Sequence, residues 1–490
     1  MLYNYLTLQY CNENLLSPKI IPHNMFGLDP TLTFLLIACL FAACAFEFIN
    51  GFHDTANAVA TVIYTNSLKP WVAVIWSGIW NSVGVFAGGI TVAMGISYLI
   101  PSEMLADQNI YHSIALIMSL LLTAIIWNLG TWYFGIPCSS SHTLVGSILG
   151  VGLAYSFIAE KSGTYVNWHK ASDIGLSLLI SPLIGFSLSI FLMYVLRIFV
   201  KNKTIFRAPK TNDPPPFWIR MILLLTCTGV SYSHGSNDGQ KGVGLVMLIL
   251  IAIVPGYFAI NAKVDLPKVK YEITAINSIL DKTIVEKLSK EDSLEIAKVQ
   301  VITHKVMFIL NSKSFDSLTT QEKFEVRTNV TRLAKDIDKI KYSKTIALSE
   351  EDKNGLKASI GGVKTITEYS PTWVIFMISI SLGLGTMVGW KRIVKTIGEK
   401  IGKQHLNYAQ GASSELVAAG TIGLATAFGL PVSTTQVLSS GIAGSMVASK
   451  GIKNLQAGTI KNIAIAWVLT LPVTILLSGL LFLLFRAMAG

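Results

Sequence analysis

Four side chains near residue 50 share one side of any helix built through them. Glu47, Asn50, Asp54 and Asn57 are spaced three, four and three apart, so all four project from one face, with His53 at its border. Ionisable groups inside a membrane cost several kcal/mol unless they pair or face a cavity, which makes these residues candidates for holding a cation or a proton. A second set stands at Asn237, Asp238 and Lys241, with Asp238 and Lys241 one helical turn apart and able to pair. Two other segments, Gly135-Ile-Pro-Cys-Ser-Ser-Ser141 and Gly429-Leu-Pro-Val-Ser-Thr-Thr435, set three hydroxyls just after a proline, where a helix should begin. Hydroxyl donors, free N-terminal amides and a positive dipole end together make an anion site from Ser139, Ser140, Ser141, Ser433, Thr434 and Thr435.

Most of the chain is too poor in charge to be soluble. Of its 490 residues 51% are apolar and 14% charged, with 35 charges in the 110 positions 261–370 against 32 in the other 380. A charge content near 8% reads as a polytopic membrane protein, and excludes a single soluble enzyme and nucleic-acid binding as the origin of the net +11. The five cysteines Cys11, Cys39, Cys44, Cys138 and Cys227 form no CxxC pair, so neither a disulfide scaffold nor a resident metal or other cofactor is expected. Residues 1–28 lack a basic n-region and a cleavage site, and are expected to be a tail.

Apolar runs separate into a first membrane unit (29–216), the start of a second (217–260), a charged insert (261–370) and the remainder of the second unit (371–490). The runs 415–430 and 433–449 are too short to span a bilayer of roughly 20 residues and meet at Gly-Leu-Pro, which predicts half-helices or a re-entrant hairpin. Basic loops at 197–220, 391–403 and 450–461 belong on the cytoplasmic side, placing the insert outside. The insert's periodic Leu280, Ile284, Leu288 and Leu333, Ile337, Ile340 predict a small helical domain.

The spacing also predicts a repeat. The two acidic motifs lie 184 residues apart, the two Pro-hydroxyl motifs 294 apart, and the difference of 110 is the length of the insert. If the second copy starts inside and the first outside, the copies are inverted, an arrangement typical of secondary transporters. The expected fold is therefore an all-α polytopic membrane protein of two inverted-topology repeats with broken or re-entrant helices, plus a small soluble helical insert. Carboxylates beside an anion site favour phosphate over sulfate, because phosphate keeps a P–OH proton to donate near neutral pH, and because a proton or cation on Asp54 or Asp238 would cancel the anion's charge.

The four motifs together resemble those of the PiT family of inorganic phosphate transporters. Phe-Ile-Asn-Gly-Phe-His-Asp-Thr-Ala-Asn-Ala-Val-Ala-Thr-Val-Ile and His-Gly-Ser-Asn-Asp-Gly-Gln-Lys-Gly are similar to its bacterial low-affinity branch. The resemblance implies cation-coupled phosphate symport in the cell's inner membrane, with Asp54, Asn57, Ser139, Ser140, Ser141, Asn237, Asp238, Ser433, Thr434 and Thr435 as phosphate and ion contacts. It also implies that a divalent metal–phosphate complex could be the carried species. Sodium-coupled members tend to repeat Gly-Ala-Asn-Asp-Val-Ala-Asn-Ala in both halves, whereas here His53 and Lys241 replace asparagines. That departure favours a coupling proton over sodium, with Glu47, His53, Asp54, Asp238 and Lys241 as the coupling groups. Lipid is the expected surround, and a homodimer is compatible with this reading.

Three other readings remain at this point. Another oxyanion such as sulfate, or sodium-coupled phosphate symport, is the nearest alternative. Ser139 and His142, three apart, could be imagined as nucleophile and base of a membrane enzyme, but no G-x-S-x-G elbow accompanies them and the second copy has Gln436 there. A channel or receptor fits less well, because carboxylates in a twofold repeated site suit alternating access. Asn81, Asn128 and Glu415 read as lone helix-pairing or edge residues.

Overall fold

A computed structural model describes residues 25–489 except 101, 106–108, 159–165, 167, 210–212, 283–288, 344 and 347. The side chains of Thr55, Asn57, Ser102, Glu103, Lys170 and Asp316 also lie outside the described set. Among the described residues the chain is helical throughout, and the one β-bridge joins Gly402 to Leu455.

The first half contains α1 (Pro30–Tyr64), α2 (Pro70–Ala87), α3 (Thr91–Ser97), α4 (Ile110–Tyr133), α5 (Ser140–Ile158) and α6 (Trp168–Phe199). After α7 (Phe217–Ile253) come the insert helices α8 (Leu266–Asp281), α9 (Lys290–Ser312), α10 (Thr320–Tyr342) and α11 (Glu350–Lys364). The chain then forms α12 (Thr372–Met387), α13 (Lys391–Lys395) with a π-turn over Thr396–Lys400, α14 (Tyr408–Ala427), α15 (Thr434–Lys450) and α16 (Ala457–Ala489). Among the described residues six helices are long and apolar enough to cross a membrane: α1, α2, α4, α5, the Ala171–Phe199 part of α6, and α16. A seventh is α12 taken with its continuation, bent by 54°. At 37 residues α7 has the length, but its middle carries the polar run Ser231–Lys241.

Local sequence explains where these helices start and stop. Pro30 at the first position and Asp29 as cap, accepting from Thr31 N at 2.8 Å and Leu32 N at 3.0 Å, start α1. Gly135 and Gly429, both at φ 66°, turn the chain after α4 and α14 so that the prolines two residues on lead into α5 and α15. The breaks fall in these connections and at the bend after α12. The break between α14 and α15 falls at the Gly-Leu-Pro where half-helices are expected, while the two acidic motifs ride on unbroken helices, α1 and α7. A continuous helix satisfies every backbone group within itself, and leaves only the side chains to be paired.

Helices α1 and α7 cross antiparallel. At one end Phe26, just before α1, meets Tyr257 at a tilt and Phe258 edge-to-face, just after α7; at the other, Arg220 Nε near the start of α7 donates to Ser67 O beyond α1 at 2.9 Å. Glycines let other backbones come close around this crossing. Gly385 of α12 packs on the backbone of Phe48 in α1, and Gly84 of α2 packs on the backbone of Tyr232 in α7. Gly389 meets Phe52, and Gly88 meets Ser236. Since Phe48 and Tyr232, like Phe52 and Ser236, are 184 residues apart, each contact occurs twice with partners exchanged. A Cβ at Gly385 would run into Phe48 O, which backbone cannot yield cheaply. Gly385→Ala, and equally Gly84→Ala, should lower stability by about 1–3 kcal/mol, read as an earlier thermal transition in detergent.

The insert has its own apolar core, built from Val269, Ile273, Leu280, Val299, Val330, Leu333, Ile337, Ile340, Leu356 and Val363. Ile284 and Leu288, also expected on its core face, lie outside the described residues. At its base the buried Arg327 donates to the carbonyls of Ala259 and Thr367 at 3.2 and 3.1 Å. That bond ties the insert to the end of the second-unit helices.

Candidate phosphate and cation site

Asp54 sits where α1 crosses α7, and the starts of α5 and α15 both point at it. Its Oδ2 accepts from Ser140 Oγ at 3.3 Å and Thr434 Oγ1 at 3.4 Å, and its Oδ1 accepts from the Thr435 hydroxyl. One carboxylate thus gathers donors from both hydroxyl triplets, one in each half of the chain. Ser140 also donates to Asp238 Oδ2 at 3.3 Å, linking the two aspartates. Ser139 and Ser433 cap their helices, accepting from His142 N and Gln436 N at 3.2 Å each. Ser139 therefore meets the amide of His142, and among the described residues no hydrogen bond joins their side chains.

Lys241 is fully buried, and its ammonium is committed on two sides. Nζ lies 2.7 Å from Asp238 Oδ1 and 2.5 Å from Ser141 Oγ, which in turn donates to Val432 O at 2.7 Å. Asn237 lies off this centre. Its amide donates to Thr426 Oγ1 at 2.9 Å and Leu430 O at 3.1 Å, and its oxygen accepts from Val432 N at 3.4 Å, so it holds the connection entering α15. On the opposite side, Trp467 Nε1 donates to Pro137 O at 3.1 Å and holds the connection entering α5.

Two histidines flank Asp54. His53 Nδ1 is 3.4 Å from Asp54 Oδ1 and its Nε2 is 3.2 Å from Thr131 Oγ1, whose proton already goes to a main-chain oxygen of α4. His234 Nε2 lies 3.7 Å from Asp54 Oδ2 and 3.6 Å from Asp238 Oδ2. Its other nitrogen meets Asn81 Oδ1 at 2.8 Å, and Asn81 in turn donates to Thr386 Oγ1 at 2.9 Å. Asn81 Oδ1 can only accept, so His234 Nδ1 carries a hydrogen and its Nε2 faces two carboxylates as a lone pair or as a second N–H. Asp54, His234 and Asp238 offer three ligand atoms within 4.8 Å of one another, all buried. Both carboxylates and an imidazole are chemically suited to a divalent cation.

The geometry thus brings together Asp54, Asp238, Lys241, His53, Ser140, Ser141, Thr434 and Thr435, with Ser139 and Ser433 capping. It leaves Asn237 to one side, and the side chain of Asn57 lies outside the described residues. Glu47 stands two turns from Asp54 along α1. Sequence reasoning missed His234, although its position four residues before Asp238 puts both on one helix face. Glu415 also proves not to be lone: it is fully buried in α14, its Oε1 accepts from Thr61 of α1 and its Oε2 from Thr226 Oγ1 of α7 at 2.5 Å. Asn81 likewise has partners, whereas the amide atoms of Asn128 have none among the described residues.

Comparison with known proteins follows these motifs. The model of the phosphate transporter family matches residues 50–478, which span both acidic motifs, both hydroxyl triplets and the insert. The chain belongs to the phosphate transporter family. It is 42% identical to the low-affinity inorganic phosphate transporter of Buchnera aphidicola from Acyrthosiphon pisum, over 93% of this chain and 97% of that one. It is 40% identical to the low-affinity inorganic phosphate transporter PitA of Escherichia coli K12, over 94% and 98%. A probable low-affinity inorganic phosphate transporter of Bacillus subtilis is 30% identical, over 92% and 96%. A solved sodium-dependent phosphate transporter shares the fold, with a TM-score of 0.53 at 20% identity, covering 93% of this chain and 99% of that one. These are transporters, and the resemblance read from the four motifs holds across both membrane halves. Among membrane proteins the chain is a multi-pass transporter of this family, not an enzyme.

Proposed function

We propose that this chain takes up inorganic phosphate across a bacterial inner membrane by cation-coupled symport, with a proton as the coupling ion. The observation that carries the reading is the convergence of two capped helix N-termini, one from each half, on the carboxylate of Asp54. Helix dipoles and hydroxyl donors favour an anion there, and Asp54 and Asp238 accept the proton that phosphate, unlike sulfate, can donate. Every described group at the centre is at most 2% exposed, and the neighbouring His142 is 4% exposed, so the site is closed to both faces. Such an occluded site between paired halves suits alternating access. The antiparallel α1 and α7, with the exchanged glycine contacts, support the inverted relation of the halves, and the basic loops support an exterior insert.

Lys241 supports the proton over sodium. Its ammonium is a fixed positive charge against Asp238, in a place where a sodium ion would otherwise balance the carboxylate. Uptake of labelled phosphate into proteoliposomes should follow an imposed pH gradient and persist without sodium; strict sodium dependence would overturn the assignment. Sulfate should compete poorly and arsenate well.

The Asp54–His234–Asp238 cluster favours a second element of this reading, that the cargo is a neutral divalent metal–phosphate complex. Asp238 divides its oxygens between Lys241 and the cluster, so one oxygen remains for the metal. Chelating divalent ions should then slow phosphate uptake in the wild type, and labelled metal should enter with phosphate in a fixed ratio. Phosphate uptake indifferent to chelation would remove the metal from the cargo.

A further inference from the structure

Glu47, like Glu415, is a fully buried carboxyl group that stands apart from the phosphate site. Glu47 lies on α1 two turns from Asp54, on the side nearer the insert. Its Oε2 accepts from Asn50 Nδ2 at 3.2 Å. Its Oε1 and the Asn50 Oδ1 are both buried and, among the described residues, without a hydrogen-bond partner. Two acceptor oxygens left unmatched, one on each member of a bonded pair, are costly away from water.

A single proton resolves both. A carboxylic acid and a primary amide form a reciprocal pair, in which the amide N–H donates to the acid carbonyl and the acid O–H donates to the amide oxygen. Glu47 protonated on Oε1 has the donor that Asn50 Oδ1 lacks. The surroundings leave no other charge to do this. Lys241, from α7, is engaged by Asp238 and Ser141, and Asp54 and Asp238 are acidic themselves. Cys44 is the remaining titratable neighbour on α1. Helices α2, α3 and α12 carry no titratable side chain, and α4 carries only Tyr111, His112 and Tyr133 near its ends. Space for the carboxyl comes from Gly242, where a Cβ would lie 2.7 Å from Glu47 Cδ and Oε1.

We propose that Glu47 is a proton-carrying site of the transporter, separate from the phosphate contacts, with Asn50 as its partner and Gly242 giving it room. The proton is taken from water on one side of the membrane onto Oε1 and returned to water on the other, so no other reactant is consumed. This proposal rests on the proton-coupled reading above.

The test uses the full chain in proteoliposomes, with labelled inorganic phosphate and two readouts. One is accumulation driven by an inward pH gradient; the other is phosphate–phosphate exchange at equal pH, which needs no net proton movement. Glu47→Gln, isosteric and able to keep the Asn50 contact, should lower gradient-driven accumulation by about tenfold while exchange continues. Accumulation as in the wild type would overturn the proposal. If Glu47→Gln does not reach the membrane, Asn50→Ala is read instead. Losing the amide should displace the half-maximum of the uptake–pH profile, and an unmoved profile overturns the proposal equally. A wild type that ignores the pH gradient but answers to sodium would overturn the proton-coupled reading itself, which the wild-type arm reports before any variant is compared. Restoration of Glu47→Gln accumulation by added sodium would identify the two orphaned oxygens as sodium ligands, and would also count against a proton.

Discussion

Asp54→Asn should reduce phosphate uptake by about 10- to 150-fold, with the protein still folded in the membrane. The side chain keeps its shape but loses its charge, and with it three charge-assisted hydroxyl contacts from Ser140, Thr434 and Thr435. A hydrogen bond to a charged group contributes about 1.5–3 kcal/mol, so even one such contact made in the transported complex accounts for that range. The introduced amide would also offer N–H groups where a protonated phosphate must donate, and would no longer balance a cation. The check is the initial rate of labelled phosphate entry at fixed protein density in the vesicle, with melting in detergent as the folding control. Uptake within twofold of wild type would remove Asp54 from the transport cycle.

Lys241→Met should be the most damaging single change to stability. It leaves Asp238 as a fully buried carboxylate whose nearest cation is gone, and breaking one side of such a pair costs about 3–5 kcal/mol. Asp238→Asn in the same chain removes the stranded charge, so the double variant should recover most of that loss. Methionine fills a volume similar to the lysine stem, which keeps the cavity term small. The double variant should still fail to accumulate phosphate, since both coupling groups are absent. Thermal transitions of the two single variants and the double variant give the coupling directly, and additive losses would show that the pair is not energetically linked.

Much of this site could be read before any coordinates, because it is made of rules that act over short stretches. The 3-4-3 spacing of Glu47, Asn50, Asp54 and Asn57 defines a helix face whatever surrounds it, and Pro-x-Ser followed by hydroxyls defines a capped helix start. The offsets of 184 and 294 could be read directly from the motif positions, and their difference is the length of the insert. What was not legible depends on which helices meet. Glu415 looked isolated because its two threonine donors, Thr61 and Thr226, lie 354 and 189 residues away. His234 was passed over because its role depends on Asn81, on a helix that the local pattern does not connect with α7. Asn237, which the motif placed among the phosphate contacts, turned out to hold a connection, since a helix face points at whatever helix packs there and the sequence does not say which.

The exchanged glycine contacts bear on how the chain is held together as an object. Gly385 of the second half grips Phe48 of the first, and Gly84 of the first grips Tyr232 of the second, so neither half is a separable block. The two are clasped hands, and the covalent link between α6 and α7 adds connection without adding registry. A gene cut in the connection between α6 and α7, giving two polypeptides, should therefore still yield one transporter, since the clasp re-forms from packing alone. It follows that whatever moves during transport must be drawn across the halves. α1 packs closely on α12, and α7 on α2, so these contacts cross the division between the two membrane units.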